Sequence, residues 1–157
     1  MLLVLLAIAD FGRLYTSAVA VEAAGREAAD FGSFNSSNWT SVNAPTTVGM
    51  MEQRACVAAA GSHLEGYATT DPANDTCTNP TFHCSLELGA DSSDCATSGG
   101  IVGTTDCSLP ATEPPCTVHV WMEYEFRTLL AVPPAPASFQ IVRHSRFRIS
   151  DLTPPPP

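Results

Sequence analysis

The chemistry open to this chain rests first on six cysteines, Cys56, Cys77, Cys84, Cys95, Cys107 and Cys116. An even number in a small, turn-rich stretch predicts disulfides and an oxidising compartment, and the intervals are all longer than the close C-x-x-C pairs of zinc sites. Spacing alone leaves the pairing open. His83 beside Cys84 has the makings of an activated thiol, but with the other cysteines nearby a half-cystine is the expectation. The four histidines, His63, His83, His119 and His144, show no metal spacing such as H-x-x-x-H, so each reads as an ordinary surface or hydrogen-bonded side chain. Asp91 and Asp94 lack the alternating acidic pattern of a calcium loop. Asn35, Asn38 and Asn74 open N-x-S/T triplets in a region rich in Ser and Thr, which makes them candidate glycan acceptors. There is no G-x-x-x-x-G-K, G-x-S-x-G or H-E-x-x-H. No catalytic residue, metal or cofactor is expected, and the chain reads as a non-enzyme.

These residues belong to a chain of 157 residues with a formal net charge of −9 and no lysine, all seven basic residues being Arg. Phosphate binding needs a positive footprint, so no nucleic-acid partner is expected. The acidic surplus favours solubility and mutual repulsion between finished particles. Residues 1–34 contain no Pro and are dominated by Leu, Ala, Glu and Arg, which predicts one continuous helix. At about 1.5 Å per residue it is roughly 50 Å long. Its first nine residues are apolar on every side, unlike a helix on the surface of a small soluble domain, so this end belongs in lipid or among other helices. Asp10 and Arg13 lie one turn apart and are expected to pair, within the helix or with a neighbour. Glu22 with Arg26, and Arg26 with Asp30, have the spacing of exposed ion pairs. Along one side, Ala7, Phe11, Leu14, Ala18, Val21, Gly25, Ala28 and Gly32 form a mostly small seam, suited to close approach of a second backbone.

The apolar run closing in Ile8-Ala9-Asp10-Phe11-Gly12-Arg13-Leu14-Tyr15, followed by Ala23-Ala24-Gly25-Arg26-Glu27-Ala28-Ala29, resembles the N-terminal helix of TadE-like proteins of tight-adherence pili. These are small pilin-like subunits of the type IV filament superfamily. The family usually carries a basic leader, then an acidic residue and a Pro within the apolar run, before the segment that matches here. The resemblance therefore implies either a processed form or processing at a different site. It also implies a helix that leaves the membrane and packs among copies of itself. Two other readings compete. A secretory signal peptide would use Ala18-Val19-Ala20 as its cleavage site, but it would have Asp10 and Arg13 inside its apolar core and no basic start. A plain membrane anchor would be short by the usual length rule and broken by the same charges.

After the helix, residues 32–45 are rich in Gly, Ser, Asn and Pro and read as an exposed connection. A second, amphipathic helix is expected from an N-cap at Thr46 or Thr47, through Val48, Met51, Ala55, Ala58 and Ala59, to Gly61 or Gly66. The stretch 67–115 shows little periodicity, with short strands expected at 81–88 and 100–105. In 117–130, Val118, Val120, Met122, Tyr124 and Phe126 alternate with polar residues and Trp121, the mark of a strand with one buried and one solvated face. Residues 137–149 alternate again, so two antiparallel strands joined by a loop containing Pro133, Pro134 and Pro136 are predicted. Residues 153–157 cannot join a ladder and are expected to form an extended tail.

The expected architecture is α+β: a hydrophobic helix over 1–34 and a disulfide-stapled head over 35–157 with a second short helix and an antiparallel sheet. The expected function is that of a filament subunit at the cell surface, inserted in the cytoplasmic membrane before assembly. Its partners would be copies of itself and a membrane-bound assembly machinery, with glycans a candidate modification. The polymerisation residues would be Ala7, Asp10, Phe11, Arg13, Leu14, Ala18, Val21, Gly25 and Ala28. A minor, assembly-priming subunit is the variant reading, and a membrane-tethered binding module the rival from another class.

Overall fold

The computed structural model describes residues 2–64, 67–71, 76–109, 115–129 and 137–150. Its spine is α1 (Leu2–Ser33), an unbroken helix. Two features close that helix. The Trp39 indole donates to the Gly32 carbonyl at 2.8 Å, and the Ser33 hydroxyl donates to the Asp30 carbonyl at 2.8 Å, so carbonyls without a partner in the last turn are satisfied. Trp39 ends a 3₁₀ turn (Ser36–Trp39) and is fully buried. The connection expected to be exposed therefore folds back under the helix, because an indole that size lowers the free energy by leaving water once its N–H has a partner.

The second helix, α2 (Ala44–Gly61), starts earlier than the predicted cap. Pro45 occupies its first turn, where a fixed φ and a missing N–H cost nothing, and the flanking Asn43 makes no side-chain cap bond. Thr47 lies inside the helix, and its hydroxyl donates to the Asn38 carbonyl at 3.0 Å. The helix ends at Gly61, the nearer of the two expected stops.

Eight strands follow: β1 (Ala68–Asp71), β2 (Thr76–Asn79), β3 (Thr81–Leu88), β4 (Asp91–Asp94), β5 (Ile101–Val102), β6 (Thr105–Asp106), β7 (Thr117–Arg127) and β8 (Ser138–Arg148). The main sheet is antiparallel in the order β4-β3-β7-β8, with β4 and β8 as its edge strands among the described residues. The β7–β8 ladder runs without a slip from Thr117↔Arg148 to Arg127↔Ser138, the antiparallel pair predicted from alternation. The strand expected at 100–105 is instead the two-residue β5–β6 hairpin, and β1, β2 and β4 were not anticipated. Gly100 adopts φ +85°, and a Cβ on it would stand 1.5 Å from the Trp39 carbonyl oxygen, so only glycine serves there.

The inner face of β7 carries Val118, Val120, Met122, Tyr124 and Phe126, all buried. They pack against α1 and beside β8 in a single core that also holds Val21, Ala28, Trp39 and, from α2, Met51. Each large side chain there contributes on the order of 1.5–3 kcal/mol of transfer free energy. Three disulfides, Cys56–Cys77, Cys84–Cys95 and Cys107–Cys116, tie α2 to β2, β3 to the turn after β4, and the start of β7 to the β6 end. The Pro-rich connection near 133–136, the triplet at Asn74 and the tail at 153–157 lie outside the described residues.

Candidate assembly surface

The small residues of α1 divide into two groups by what covers them. Val21 and Ala28 are fully buried, and Gly25 and Gly32 are buried too, all against this chain's own head. A Cβ at Gly25 would lie 3.3 Å from Met122 Cγ, and one at Gly32 would lie 2.7 Å from Met51 Sδ. The seam expected to face other copies along its whole length is thus occupied from Val21 onward by β7, β8 and α2. Small residues bring the sheet and α2 close to the helix axis within one molecule. Leu14 and Ala18 are half-buried at the boundary, while Ala7 and Phe11 are exposed.

At that boundary the helix is pinned. The Arg13 guanidinium meets the Asp10 carboxylate at 2.8 Å, so the expected pair forms within one helix. The Asp10 carboxylate also accepts the backbone N–H of Leu129, just beyond β7, at 3.0 and 2.9 Å. Arg13 lies over the Phe126 ring at 5.4 Å from its centroid, a cation–π contact. One turn on, Ser17 hydrogen-bonds the Tyr124 hydroxyl; burial nonetheless pushes that phenol above its ordinary pKa. The charges that interrupt the apolar run therefore fix the helix to the head. Arg26 pairs with Glu22 at the predicted four-residue spacing.

Beyond the pin, α1 projects as an apolar arm. Leu3, Val4, Leu5 and Ile8 are 62–64% exposed, and Phe11 is 70% exposed. Tyr15 (65%) and Val19 (49%) continue the strip along the helix. Beside them, Leu14, Tyr15 and Ala18 face Phe139, Ile141 and Arg143 of β8 across an apolar groove of about 500 Å³. The helix is long and apolar enough to cross a membrane by length and composition, its apolar 18-residue stretch having a mean hydropathy of 1.5.

The outer face of the sheet is less solvated than alternation predicted. Register brings together three histidines far apart in sequence. His83 stacks on Trp121 with centroids 5.1 Å apart, and His119 lies 5.2 Å from the same indole. His119, only 7% exposed, meets Glu87 through Nδ1 at 2.6 Å and His144 Nδ1 through Nε2 at 3.0 Å, while Arg146 Nε donates to Glu87 at 3.0 Å. The carboxylate can only accept, so neutral His119 donates from Nδ1 and accepts at Nε2, and His144 donates. Burial pushes the His119 pKa below its ordinary value, with the neighbouring Arg146 and His144 charges adding to that and Glu87 opposing it. Burial alone would raise Glu87, but Arg146 and His119 pull its carboxyl below the ordinary range. Among the described residues no group of three or more His, Cys, Asp or Glu has the arrangement to hold a metal ion.

Of the other residues singled out by sequence, Cys84 is a half-cystine. The Asp94 carboxylate accepts the Ala96 and Thr97 N–H groups and the Thr97 hydroxyl, closing a local turn. The Asn35 side chain accepts the Ser37 N–H as the cap of the 3₁₀ turn, and Asn38 is half-buried beside it. No protein-family model, curated protein or solved structure matches this chain.

Proposed function

We propose that this chain is a structural subunit of an extracellular filament of the type IV or tight-adherence kind, polymerising through the apolar arm of α1 while the head forms the filament surface. The observation that carries this reading is the exposed apolar strip from Leu3 to Phe11 on a helix pinned to the head. An isolated copy leaves this surface in water, and exposed apolar patches of this kind mark association or membrane contact. Before assembly the same arm would rest in the cytoplasmic membrane, within reach of an assembly machinery. The disulfides accord with an oxidising, extracellular setting for the head. The acidic charge would keep finished filaments apart.

A membrane-tethered binding module would share the arm. A tether needs only apolarity, however, whereas here Asp10, Arg13 and Ser17 set the angle between helix and head, a feature useful to a repeating contact. The deciding experiment is electron microscopy of the purified chain beside an Ile8→Asp variant. Filaments from the parent and none from the variant, with all cysteines still oxidised in both, are the expected result. Discrete monomers or closed oligomers of the parent under every condition would favour the tethered module.

A further inference from the structure

The arm leaves one end of the head and the groove beside β8 opens on its flank. We infer that the groove between α1 and the edge strand β8 receives the apolar arm of a second copy, so that assembly proceeds arm to groove rather than through arms alone. The inference rests on the filament reading and names the contact that reading requires.

Three observations select this occupant. The first is area: the five exposed apolar side chains from Leu3 to Phe11 present on the order of 600 Å², most of one partner's share of a standard interface. The second is chemistry. The groove is lined by Leu14, Tyr15, Ala18, Phe139 and Ile141 with a single charged side chain, Arg143, whose guanidinium donates only to its own neighbour's carbonyl, Val142, at 3.1 Å among the described residues. Residues 3–9 carry no charge, and Asp10 is held by Arg13 and the Leu129 N–H of its own chain, so what the arm offers the groove is apolar. The third is continuity. Phe11 borders both the groove and the hollow formed by Leu3, Val4, Ala7 and Ile8, so one apolar strip joins the two. The helix is unbroken through that point, so a chain cannot fold its own arm back into its own groove. The occupant comes from another molecule, and because arm and groove are different surfaces the contact is heterologous and propagates as an open array.

The test uses two variants of the full chain that each carry one added cysteine, Ile8→Cys and Arg143→Cys, co-assembled and briefly oxidised, with Ala18→Trp as a groove-filling variant. The expected results are a dominant mixed 8–143 dimer from co-assembled filaments, a multimer ladder from the double variant, and loss of filaments on Ala18→Trp with its native cysteines still paired. Filaments that yield only 8–8 dimers would overturn the inference and leave the filament reading intact, since arms would then bundle with one another. Filaments formed normally by Ala18→Trp, together with loss of its binding to phosphatidylglycerol vesicles, would assign the groove to lipid. No polymer from the parent chain would remove the filament reading and this contact with it.

Discussion

Three glycines of α1 offer a direct measurement of how the helix is shared between folding and association. Replacing Gly by Ala in a helix interior gains about 0.5–1 kcal/mol, because Ala loses less backbone entropy. At Gly12 a Cβ would meet nothing within 4 Å, so Gly12→Ala should realise most of that gain. At Gly25 the new methyl would lie 3.3 Å from Met122 Cγ and 3.5 Å from Ser145 Oγ, both buried. The neighbours must give by a few tenths of an ångström, so the net change at Gly25 should fall within about 0.5 kcal/mol of zero. At Gly32 the methyl would lie 2.7 and 2.9 Å from Met51 Sδ and Cε and 3.3 Å from the Trp39 ring. Met51 and Trp39 are fully buried, and overpacking of this kind costs about 1–3 kcal/mol, so Gly32→Ala should destabilise by about 1–2 kcal/mol. The assay is urea unfolding of the oxidised monomer held in mild detergent, read by tryptophan fluorescence, which reports on Trp39 beside Gly32 and on Trp121 in the sheet. Equal stabilisation at all three positions would refute the reasoning, since it would mean that α1 stands clear of its own head and keeps its small residues for other copies.

Asp10→Ala should destabilise by about 1–2 kcal/mol, because it removes the charge-assisted bond to the Leu129 N–H and the Arg13 pair, both of which water can partly replace. Arg13→Ala should cost less, and a double-mutant cycle should show coupling of about 1 kcal/mol; additive losses would remove the pair as a determinant. Mass spectrometry without reductant should find no free thiol, and replacing Cys56 and Cys77 together by Ser should cost about 3 kcal/mol for a loop of 21 residues. Stability should fall in acid in two stages. His119 has a lowered folded pKa, so its contribution is complete above its ordinary value of 6.5 and is lost as pH falls below it. Glu87, also lowered, contributes above 4.5 and is lost as pH falls through its folded value. Urea midpoints across this range should show His119→Gln flattening the upper stage and Glu87→Gln the lower one, with an unchanged profile in both variants counting against the pairing of Glu87 with the buried His119.

What could be read in the sequence was whatever depended on local period. Residues 118–126 alternate but for Trp121 on the outer face, and their inner set is buried without exception. The long helix, the 81–88 strand and the oxidised cysteines followed equally from local pattern. What could not be read was whatever depended on which surfaces meet. Small residues at steps of three and four signal a close neighbour without saying whether it is a sheet of the same chain or a helix of another, and Val21, Gly25 and Ala28 proved to face the former. The Glu87–His119–His144 chain requires the registers of β3 against β7 and of β7 against β8, which no spacing encodes. Trp39 sat in a stretch whose Gly, Ser and Asn content argued for exposure; its one signal was its own size.

The division of α1 has a consequence for the order of events in assembly. From Val21 to Ser33 the helix contributes buried groups to the head core, and the head is further tied by three disulfides, so folding does not depend on burying the arm. The arm's apolar surface is then withheld from the folding balance and remains available for association. Were the arm needed for folding, the filament proposed above would require each subunit to fold only on joining the polymer. Two kinds of substitution in one helix should therefore separate cleanly. Ile8→Asp should abolish association while leaving the urea midpoint of the monomer within about 0.5 kcal/mol of the parent, as exposed positions generally do. Gly32→Ala should lower that midpoint while leaving the arm's surface unchanged. A substantial loss of monomer stability on Ile8→Asp would show that the arm is buried in the isolated subunit and would overturn the separation of folding from assembly.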